Sequence, residues 1–300
     1  MLLLEARAKI NWTLDIVGIR EDGYHLMDML MSSVALADTL EIEEAASLSL
    51  SIAGEYSAET SGEADRPQPV QNNLVWRAAC SLQKATGCQK GAIMRLNKRV
   101  PVGAGMGGGS ADVAAALIGL NQLWELSLPM ADLREIGLSL GADIPFALTG
   151  GLARVRGIGD EIEPLPFPIS YWIAGIQPCG GLSTGDVFRA FDSLPGDWIL
   201  RPQTEKAQAA LLTGDIPTLA MAMGNVLEAV SLKRKPEMRE AMLGLTRLGA
   251  ARAIMTGSGS AVYGIFENET KARFAYSELR AEWAQSFVTH TVADPVVFLS

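Results

Sequence analysis

Apolar and polar residues alternate along the first part of the chain, as they do in half-buried β-strands. Residues 8–19, AKINWTLDIVGI, and residues 31–43, MSSVALADTLEIE, have this pattern and are rich in β-branched side chains. The polar stretch REDGYH, residues 20–25, lies between them. The pattern therefore predicts two strands that flank a functional loop.

Apolar residues recur at helical spacing in the segments that follow. They predict a helix from Asn73 that ends near Gly87, where glycine is a common helix terminator. Residues 91–101, GAIMRLNKRVP, have the pattern of a strand that leads into a glycine run. Apolar positions from 113 to 124 predict a second helix, and a third is predicted over about 130–140.

The second half of the chain also mixes strands and helices. Residues 151–168, GLARVRGIGDEIEPLPFP, have strand, turn, strand and proline-rich character, and they predict a boundary between domains at residues 1–160 and 161–300. Strands such as YWIAGIQP and ARAIMTGSGSAVYGIF then alternate with helices predicted near 204–213, 216–231 and 235–248. The sequence thus predicts an α+β protein of two domains.

Composition and charge exclude several classes of function. The 300 residues carry a net charge of −9, which argues against a general nucleic-acid or membrane-surface binder, because both need a broad positive surface. The acidic stretch 54–70 is predicted to be a surface loop. Three cysteines without CxxC spacing and two histidines support neither a disulfide framework nor a zinc site.

The chain has the features of a cytoplasmic protein. No apolar run reaches the roughly 18 residues that a membrane span needs. The apolar residues at the start have no basic region before them and meet Glu5 at once, unlike a signal peptide. We therefore expect a cytoplasmic protein. These features do not give the oligomeric state, for which we expect a monomer or weak homodimer.

The glycine run PVGAGMGGGS, residues 101–110, is the most informative stretch. A glycine run that opens a helix presents backbone N–H groups to one point, where the helix dipole also favours negative charge. This predicts a phosphate site, although no lysine follows the last glycine as it does in a Walker A loop. The alternative is a glycine-rich turn that only lets the helix pack closely.

Other parts of a phosphoryl-transfer site are present. Such a site needs a phosphate cradle, a cation and a carboxylate near the attacking hydroxyl. Lys9 lies in a predicted strand, Asp143 lies in the turn GADIP, and TGSGSA at 256–261 offers a second glycine-rich backbone. Taken alone, Asp143 could equally be a helix cap.

Several motifs resemble those of the GHMP kinases, the superfamily of galactokinase, homoserine kinase and mevalonate kinase. The glycine run resembles their phosphate-binding motif and IMTGSGSAVYGIF resembles their C-terminal glycine motif. Within the superfamily, the chain is similar to the members that phosphorylate 4-diphosphocytidyl-2-C-methyl-D-erythritol. The matching segments occur in the same order and are residues 8–42, NNLVWRAA, NKRVPVGAGMGGGSAD and residues 140–165.

The resemblance implies a two-domain GHMP kinase fold with the active site in the cleft between the domains, and it assigns roles to residues. Asp143 is implied as the base and Lys9 as its partner at the 2-hydroxyl of that substrate. Tyr24 and Phe188 are implied to sandwich the cytosine while His25 hydrogen-bonds it, with Asn11 and Thr184 also near the substrate. The implied ATP-binding residues are Asn73, Lys98, Pro101, Val102, Gly103, Ala104, Gly105, Met106, Gly107, Gly108, Gly109 and Ser110.

Simpler interpretations of these residues stay open. Without the resemblance, His25 could be a solvated surface residue, Phe188 a core residue, and Lys98 with Arg99 an exposed cationic strand end. Mg²⁺ is expected with ATP, its protein ligands are not assigned, and Ser110 is a candidate contact. At this level the rivals are another GHMP kinase, of the homoserine or mevalonate type, and a catalytically silent nucleotide-binding protein.

Overall fold

The computed structural model describes residues 1–55, 69–195 and 199–299. Most of the acidic stretch 54–70 lies outside these residues, so its prediction as a surface loop is not tested. Among the described residues, no helix is both long enough and apolar enough to cross a lipid bilayer.

The described residues form an α+β structure, as predicted. In chain order the strands are β1 Leu2–Ile19, β2 His25–Ala45, β3 Ser49–Gly54, β4 Gly91–Lys98, β5 Leu152–Gly157, β6 Glu161–Leu165, β7 Trp172–Ile176, β8 Gly224–Asn225, β9 Arg252–Met255, β10 Val262–Phe266, β11 Ser286–Val292 and β12 Val296–Leu299. The helices are α1 Leu74–Thr86, α2 Gly108–Leu123, α3 Met130–Leu138, α4 Ile144–Thr149, α5 Thr184–Phe191, α6 Thr204–Thr213, α7 Ile216–Ala222, α8 Glu228–Arg234, α9 Glu237–Arg247 and α10 Glu269–Glu282.

The long strand β2 connects the different parts of the sheet. One of its edges pairs with β1, while the other pairs in turn with β5 at residues 27–32, with β11 at residues 33–34 and with β4 at residues 39–45. Through β11 the sheet continues into β7, β10 and β9. Strands from both ends of the sequence therefore meet on β2.

Most predicted elements are confirmed at their expected positions. The α1 helix begins after Asn73, whose side chain accepts a hydrogen bond from the Val75 amide, and it ends at Gly87 in the left-handed region, φ 73°. The predicted start at Asn73 and the glycine terminator are confirmed, and the structure adds the Asn73 side chain as the cap. The α2 helix follows the glycine run directly and begins at Gly108.

The single helix predicted over residues 216–231 is wrong. The structure breaks it into α7 and α8, with the short strand β8 between them. The β8 strand pairs with Thr13 and Leu14 of β1, and the Asn225 side chain donates to the carbonyl oxygens of Met255 and Gly257. These tertiary bonds need extended backbone at β8, and they override the local helical pattern.

Three apolar clusters fill the interior. One packs α1, α2 and α3 against β1, β2 and β4, and it includes Leu4, Leu40, Leu82 and Leu117. A second lies between the sheet and the later helices α8, α9 and α10. The third, around Trp12, joins the centre of β1 to Tyr171 and Tyr263. These clusters hold the glycine run and the early strands at fixed positions.

Candidate active site

The glycine run forms a tight loop between β4 and the start of α2. Gly107 precedes α2 in the left-handed region, φ 66°, where residues with a Cβ are strained. A Cβ at this position would also lie 2.9 Å from Cγ of Lys9. Gly107 is therefore required both by its backbone conformation and by its close approach to the Lys9 side chain.

Irregular strand geometry places Lys9 in the site. The β1–β2 register shifts between Arg7 and Lys9 and again between Asn11 and Thr13. Such bulges redirect side chains and are common beside active sites. The Lys9 amide donates to the Met106 carbonyl at 2.9 Å, which joins this part of β1 to the glycine loop.

Lys9 faces Asp143 across the site. Its Nζ lies 3.8 Å from Oδ2 of Asp143, and the Lys9 side chain is buried whereas that of Asp143 is 41% exposed. Burial lowers the pKa of the Lys9 ammonium, and the Asp143 carboxylate opposes this effect by favouring the charged form. The pair thus combines a desolvated cation with an accessible carboxylate.

Asp143 occupies the position of a helix cap without acting as one. It directly precedes α4, but its side chain makes no capping hydrogen bond. Because the carboxylate makes no bond to the helix and is partly exposed, it remains available to a ligand in the site. The alternative interpretation of Asp143 as a structural cap is therefore wrong.

Asn11 joins Lys9 to the second glycine segment. Its Oδ1 accepts hydrogen bonds from Nζ of Lys9 at 2.7 Å and from the Gly257 amide at 3.1 Å. Gly257 in turn approaches Gly105 so closely that a Cβ at residue 257 would lie 2.8 Å from the Gly105 carbonyl oxygen. The two glycine segments are packed backbone to backbone, with Asn11 between them and the lysine.

A group of aromatic and polar side chains lies at the other end of the site. The His25 ring is 4.7 Å from that of Phe188, between ring centroids, and its Nε2 lies 2.6 Å from Oδ1 of Asp192. The Thr184 hydroxyl is 2.9 Å from that of Ser258. Tyr24 stands in the turn before β2 and is largely exposed.

These two groups line a single cleft of about 490 Å³. It includes Lys9 and Asp143 at one end and Tyr24, His25 and Phe188 at the other. Gly105 and Ser110 of the glycine loop also line the cleft, and Asn11, Thr184 and Ser258 supply further polar groups. The residues come from both halves of the chain.

Most of the remaining residues predicted to bind ATP do not line this cleft. The side chains of Ala104 and Met106 are buried in the cluster around Trp12, and Pro101 is also buried. Val102 is exposed, and Asn73 caps α1. The nucleotide-binding roles of these five residues stay predictions, as do those of Gly103, Gly108 and Gly109. Residues of the loop whose side chains do not line the cleft would contact ATP through their backbone.

Lys98 is turned into the protein. Its Nζ makes ion pairs with Asp38 and Asp112, and each of the three side chains is less than 10% exposed. Asp38 also accepts hydrogen bonds from the amides of Arg99 and Val100, directly before the glycine run. The interpretation of Lys98 as an exposed strand end is wrong, and its contact with adenine stays a prediction.

Several residues of the site escaped the sequence analysis. Asn225 holds the second glycine segment through the Gly257 carbonyl, Asp112 and Asp38 hold Lys98, and Asp192 holds His25. Asn225 follows Gly224 in a segment with a helical pattern, so the interruption by glycine was the one available signal. The acidic residues carry no local signal, because their partners are distant in sequence.

The cleft offers few ligands for a resident metal ion. Across the described ranges, no three histidine, cysteine or acidic side chains are grouped to hold one. The three cysteines are free. Asp143 and the Ser110 hydroxyl are oxygen donors that line the cleft. This set suits Mg²⁺ that is held mainly by nucleotide phosphates and water, with one or two protein oxygens.

Comparison with known families and proteins agrees with this geometry. Residues 73–151 match the model of the GHMP kinases N terminal domain, and residues 207–285 match that of the GHMP kinases C terminal domain. A 4-diphosphocytidyl-2-C-methyl-D-erythritol kinase of Pelotomaculum thermopropionicum is 43% identical over 290 residues, which cover 95% of this chain and 96% of the relative. A kinase of the same name from Alkaliphilus metalliredigens is 37% identical, with 96% and 95% covered.

Solved structures give the same result. A crystal structure of 4-(cytidine 5'-diphospho)-2C-methyl-D-erythritol kinase aligns with a TM-score of 0.80 at 32% identity, covering 97% of this chain and 99% of the other. A homoserine kinase from Cytophaga hutchinsonii aligns with a TM-score of 0.71 at 16% identity, with 99% and 97% covered. The second likeness, at this low identity, is one of fold.

Proposed function

The chain belongs to the GHMP kinase family, among its 4-diphosphocytidyl-2-C-methyl-D-erythritol kinases, and we propose that its cleft transfers the γ-phosphoryl group of ATP to the 2-hydroxyl of that alcohol. The reaction belongs to isoprenoid precursor synthesis, and ATP is the co-substrate. The proposal concerns the position of phosphorylation and the part that each side chain takes.

Asp143 is proposed as the general base. It accepts the proton of the substrate hydroxyl as the hydroxyl oxygen bonds to the γ-phosphorus, and the bond from that phosphorus to the β–γ bridging oxygen breaks to release ADP. The exposed carboxylate, with no capping bond to the helix, supports this role. The Lys9 ammonium, 3.8 Å away, orients the Asp143 carboxylate and stabilises the negative charge that develops on the hydroxyl oxygen.

The start of α2 is proposed to hold the phosphates of ATP. Free backbone N–H groups at a helix start, together with the helix dipole, stabilise an anion there. Gly105 and Ser110 line the cleft at this end, which supports the proposal. Mg²⁺ would accompany ATP and neutralise phosphate charge, and Ser110 and Asp143, which line the cleft, would supply the protein oxygens that hold it.

The aromatic end of the cleft is proposed to bind the cytidine diphosphate portion. Stacking of a base on an aromatic face contributes about 1–3 kcal/mol and depends little on which base is bound. Tyr24 and Phe188 supply such faces, and His25, whose ring lies beside that of Phe188, supplies a hydrogen-bonding group. Asn11 and Thr184 line the same cleft as Asp143.

One observation carries the proposal: a single cleft joins the Lys9–Asp143 pair to Tyr24, His25 and Phe188. The test is an assay of ADP release with ATP and the cytidyl alcohol, followed by identification of the phosphorylated carbon by phosphorus–proton NMR. We expect ADP release to require the cytidyl alcohol and the new phosphate to lie on the 2-hydroxyl. Equal turnover of homoserine or mevalonate, or ADP release without any alcohol, would contradict the proposal.

A further inference from the structure

His25 and Asp192 form a hydrogen-bonded pair at the aromatic end of the cleft. They lie 167 positions apart in the chain, with Nε2 of His25 2.6 Å from Oδ1 of Asp192. The His25 side chain is 13% exposed and that of Asp192 is 41% exposed. Phe188 packs against the His25 ring, so the imidazole is held both on one face and at Nε2.

Asp192 stands where an acidic residue is electrostatically disfavoured. It directly follows the last residue of α5, at the negative end of the helix dipole. Thr184 and Phe188, which line the cleft, precede it at intervals of four, so all three residues share one face of the helix. An unfavourable charge on the face that borders the cleft points to a role there.

We propose that Asp192 is a positioning residue that fixes the tautomer of His25 and thereby selects a pyrimidine that carries an amino group. A carboxylate only accepts hydrogen bonds, so a short bond to Asp192 places the imidazole proton on Nε2. In the neutral ring the other nitrogen, Nδ1, is then an acceptor. This inference rests on the proposed function, in which His25 meets the cytosine.

An acceptor at Nδ1 distinguishes cytosine from uracil. Cytosine has a donor amino group at carbon 4, where uracil has a carbonyl oxygen that only accepts. The amino group can donate to Nδ1, whereas the carbonyl oxygen would face it without a hydrogen. An unpaired acceptor in a desolvated site weakens binding, so the His25–Asp192 pair disfavours the uridyl analogue.

The test compares kcat/KM for the cytidyl alcohol and for its uridyl analogue at pH 8. Asp192→Asn is the chosen variant, because an amide both donates and accepts and therefore no longer fixes the proton on Nε2. We expect the cytidyl-to-uridyl ratio of kcat/KM to fall by at least about tenfold. The KM for ATP is expected to stay unchanged.

The matched control is Asp186→Asn on the same helix. Asp186 pairs with Arg189 near the surface, away from the face that Thr184, Phe188 and Asp192 share. We expect this variant to keep the wild-type ratio. A ratio that Asp192→Asn also leaves unchanged would overturn the inference, as would an equal fall for both variants.

A second measurement reads the tautomer without any substrate. The chain has two histidines, so two-bond proton–nitrogen spectra of the imidazole rings contain two sets of signals, and His290→Gln assigns them. At pH 8 we expect the His25 proton on Nε2 in the wild type and a mixture of tautomers in Asp192→Asn. A His25 proton on Nδ1 in the wild type would overturn the inference.

The two measurements separate this inference from the proposed function. If the wild type does not phosphorylate the cytidyl alcohol, both the proposed function and the selection by His25 are contradicted. If the wild type does phosphorylate it and the ratio or the tautomer is insensitive to Asp192, the proposed function stands and only the role of Asp192 fails.

Discussion

At the scale of single residues, the site depends on charges whose surroundings differ sharply. Asp143 is accessible and makes no capping bond, whereas Lys98 is buried between two carboxylates. Removing an accessible group affects chemistry more than folding. Removing one member of a buried ion cluster leaves an uncompensated charge and affects folding first.

Replacement of Asp143 by Asn should abolish most turnover without unfolding the protein. The amide cannot accept the hydroxyl proton, so we expect kcat to fall by about 10²–10⁴. The melting temperature should change little, because no capping bond is lost. Steady-state kinetics and thermal unfolding check both expectations. Asp132→Asn, on the exposed side of α3, is the control; equal activity of the two variants would contradict the role of Asp143.

Replacement of Lys98 by Met should destabilise the fold. It leaves Asp38 and Asp112 buried without their cation, and we expect a loss of about 3–5 kcal/mol in the free energy of unfolding, measured with denaturant. Lys90→Met is the matched control, since Lys90 and its partner Glu44 are exposed and such pairs contribute about 1 kcal/mol or less. A raised KM for ATP with unchanged stability would instead show that Lys98 acts on the nucleotide.

At the scale of secondary-structure elements, side chains from neighbouring elements hold the loops of the site. Asp38 of β2 binds the amides before the first glycine run, and Asn225 of β8 binds the carbonyl oxygens of Met255 and Gly257. The α8 helix contributes Glu228, whose Oε1 accepts a hydrogen bond from the Met255 amide at 2.8 Å. The second glycine segment is therefore anchored from two sides.

The carboxyl group of Glu228 should make the free energy of unfolding depend on pH. Burial raises the pKa of its carboxyl to about 7, against an ordinary value of 4.5. Between these values the folded protein keeps a proton that the unfolded chain has lost, so the free energy of unfolding falls as pH rises through this window. In Glu228→Gln we expect this contribution, at most about 1.4 kcal/mol per pH unit, to vanish.

Denaturant unfolding of the wild type and Glu228→Gln between pH 4.5 and 8 measures this difference in slope. Gln keeps an oxygen that accepts from the Met255 amide, so the comparison isolates the titrating proton. Glu240→Gln, on the exposed side of α9, serves as the control and should follow the wild type. Parallel curves for the wild type and Glu228→Gln would contradict the assignment.

At the scale of the whole molecule, the two ends of the chain are joined. The β12 strand pairs with β1 over residues 3–6, and the Arg7 amide donates to the Pro295 carbonyl at 3.0 Å. Pro295 packs against the backbone of Gly150, which ends the α4 helix that Asp143 precedes. Pro295 and the β12 strand therefore support the α4 helix, which directly follows Asp143.

A chain that ends at Asp294 should be less stable and less active. It loses the β12 ladder and the contact with Gly150, and we expect its melting temperature to fall by at least about 4 °C. The kcat should fall as well, because α4 loses a packing partner. A chain that ends at Leu299 retains β12 and is the control. A truncated chain that matches this control in both measurements would contradict the role of β12.

The sequence by itself determined most of the local structure and predicted Lys9 and Asp143 as the reacting groups. Alternation predicted β1 and β2, helical spacing with Asn73 and Gly87 predicted α1, and the glycine run predicted the loop before α2. These features depend on residues that are close in the chain, so periodicity and caps report them. The motifs that resemble those of the GHMP kinases occur in the same order as in that family, and they predicted both Lys9 and Asp143.

Only the tertiary structure decided which distant residues meet. Asn11 and Gly257 are 246 positions apart and His25 and Asp192 are 167 apart, yet both pairs form hydrogen bonds. It also turned Lys98 inward, broke the helix predicted over 216–231 at β8, and returned β12 to β1. Local patterns record a residue's preference for a helix, a strand or burial, whereas these contacts depend on how the strands are ordered around β2.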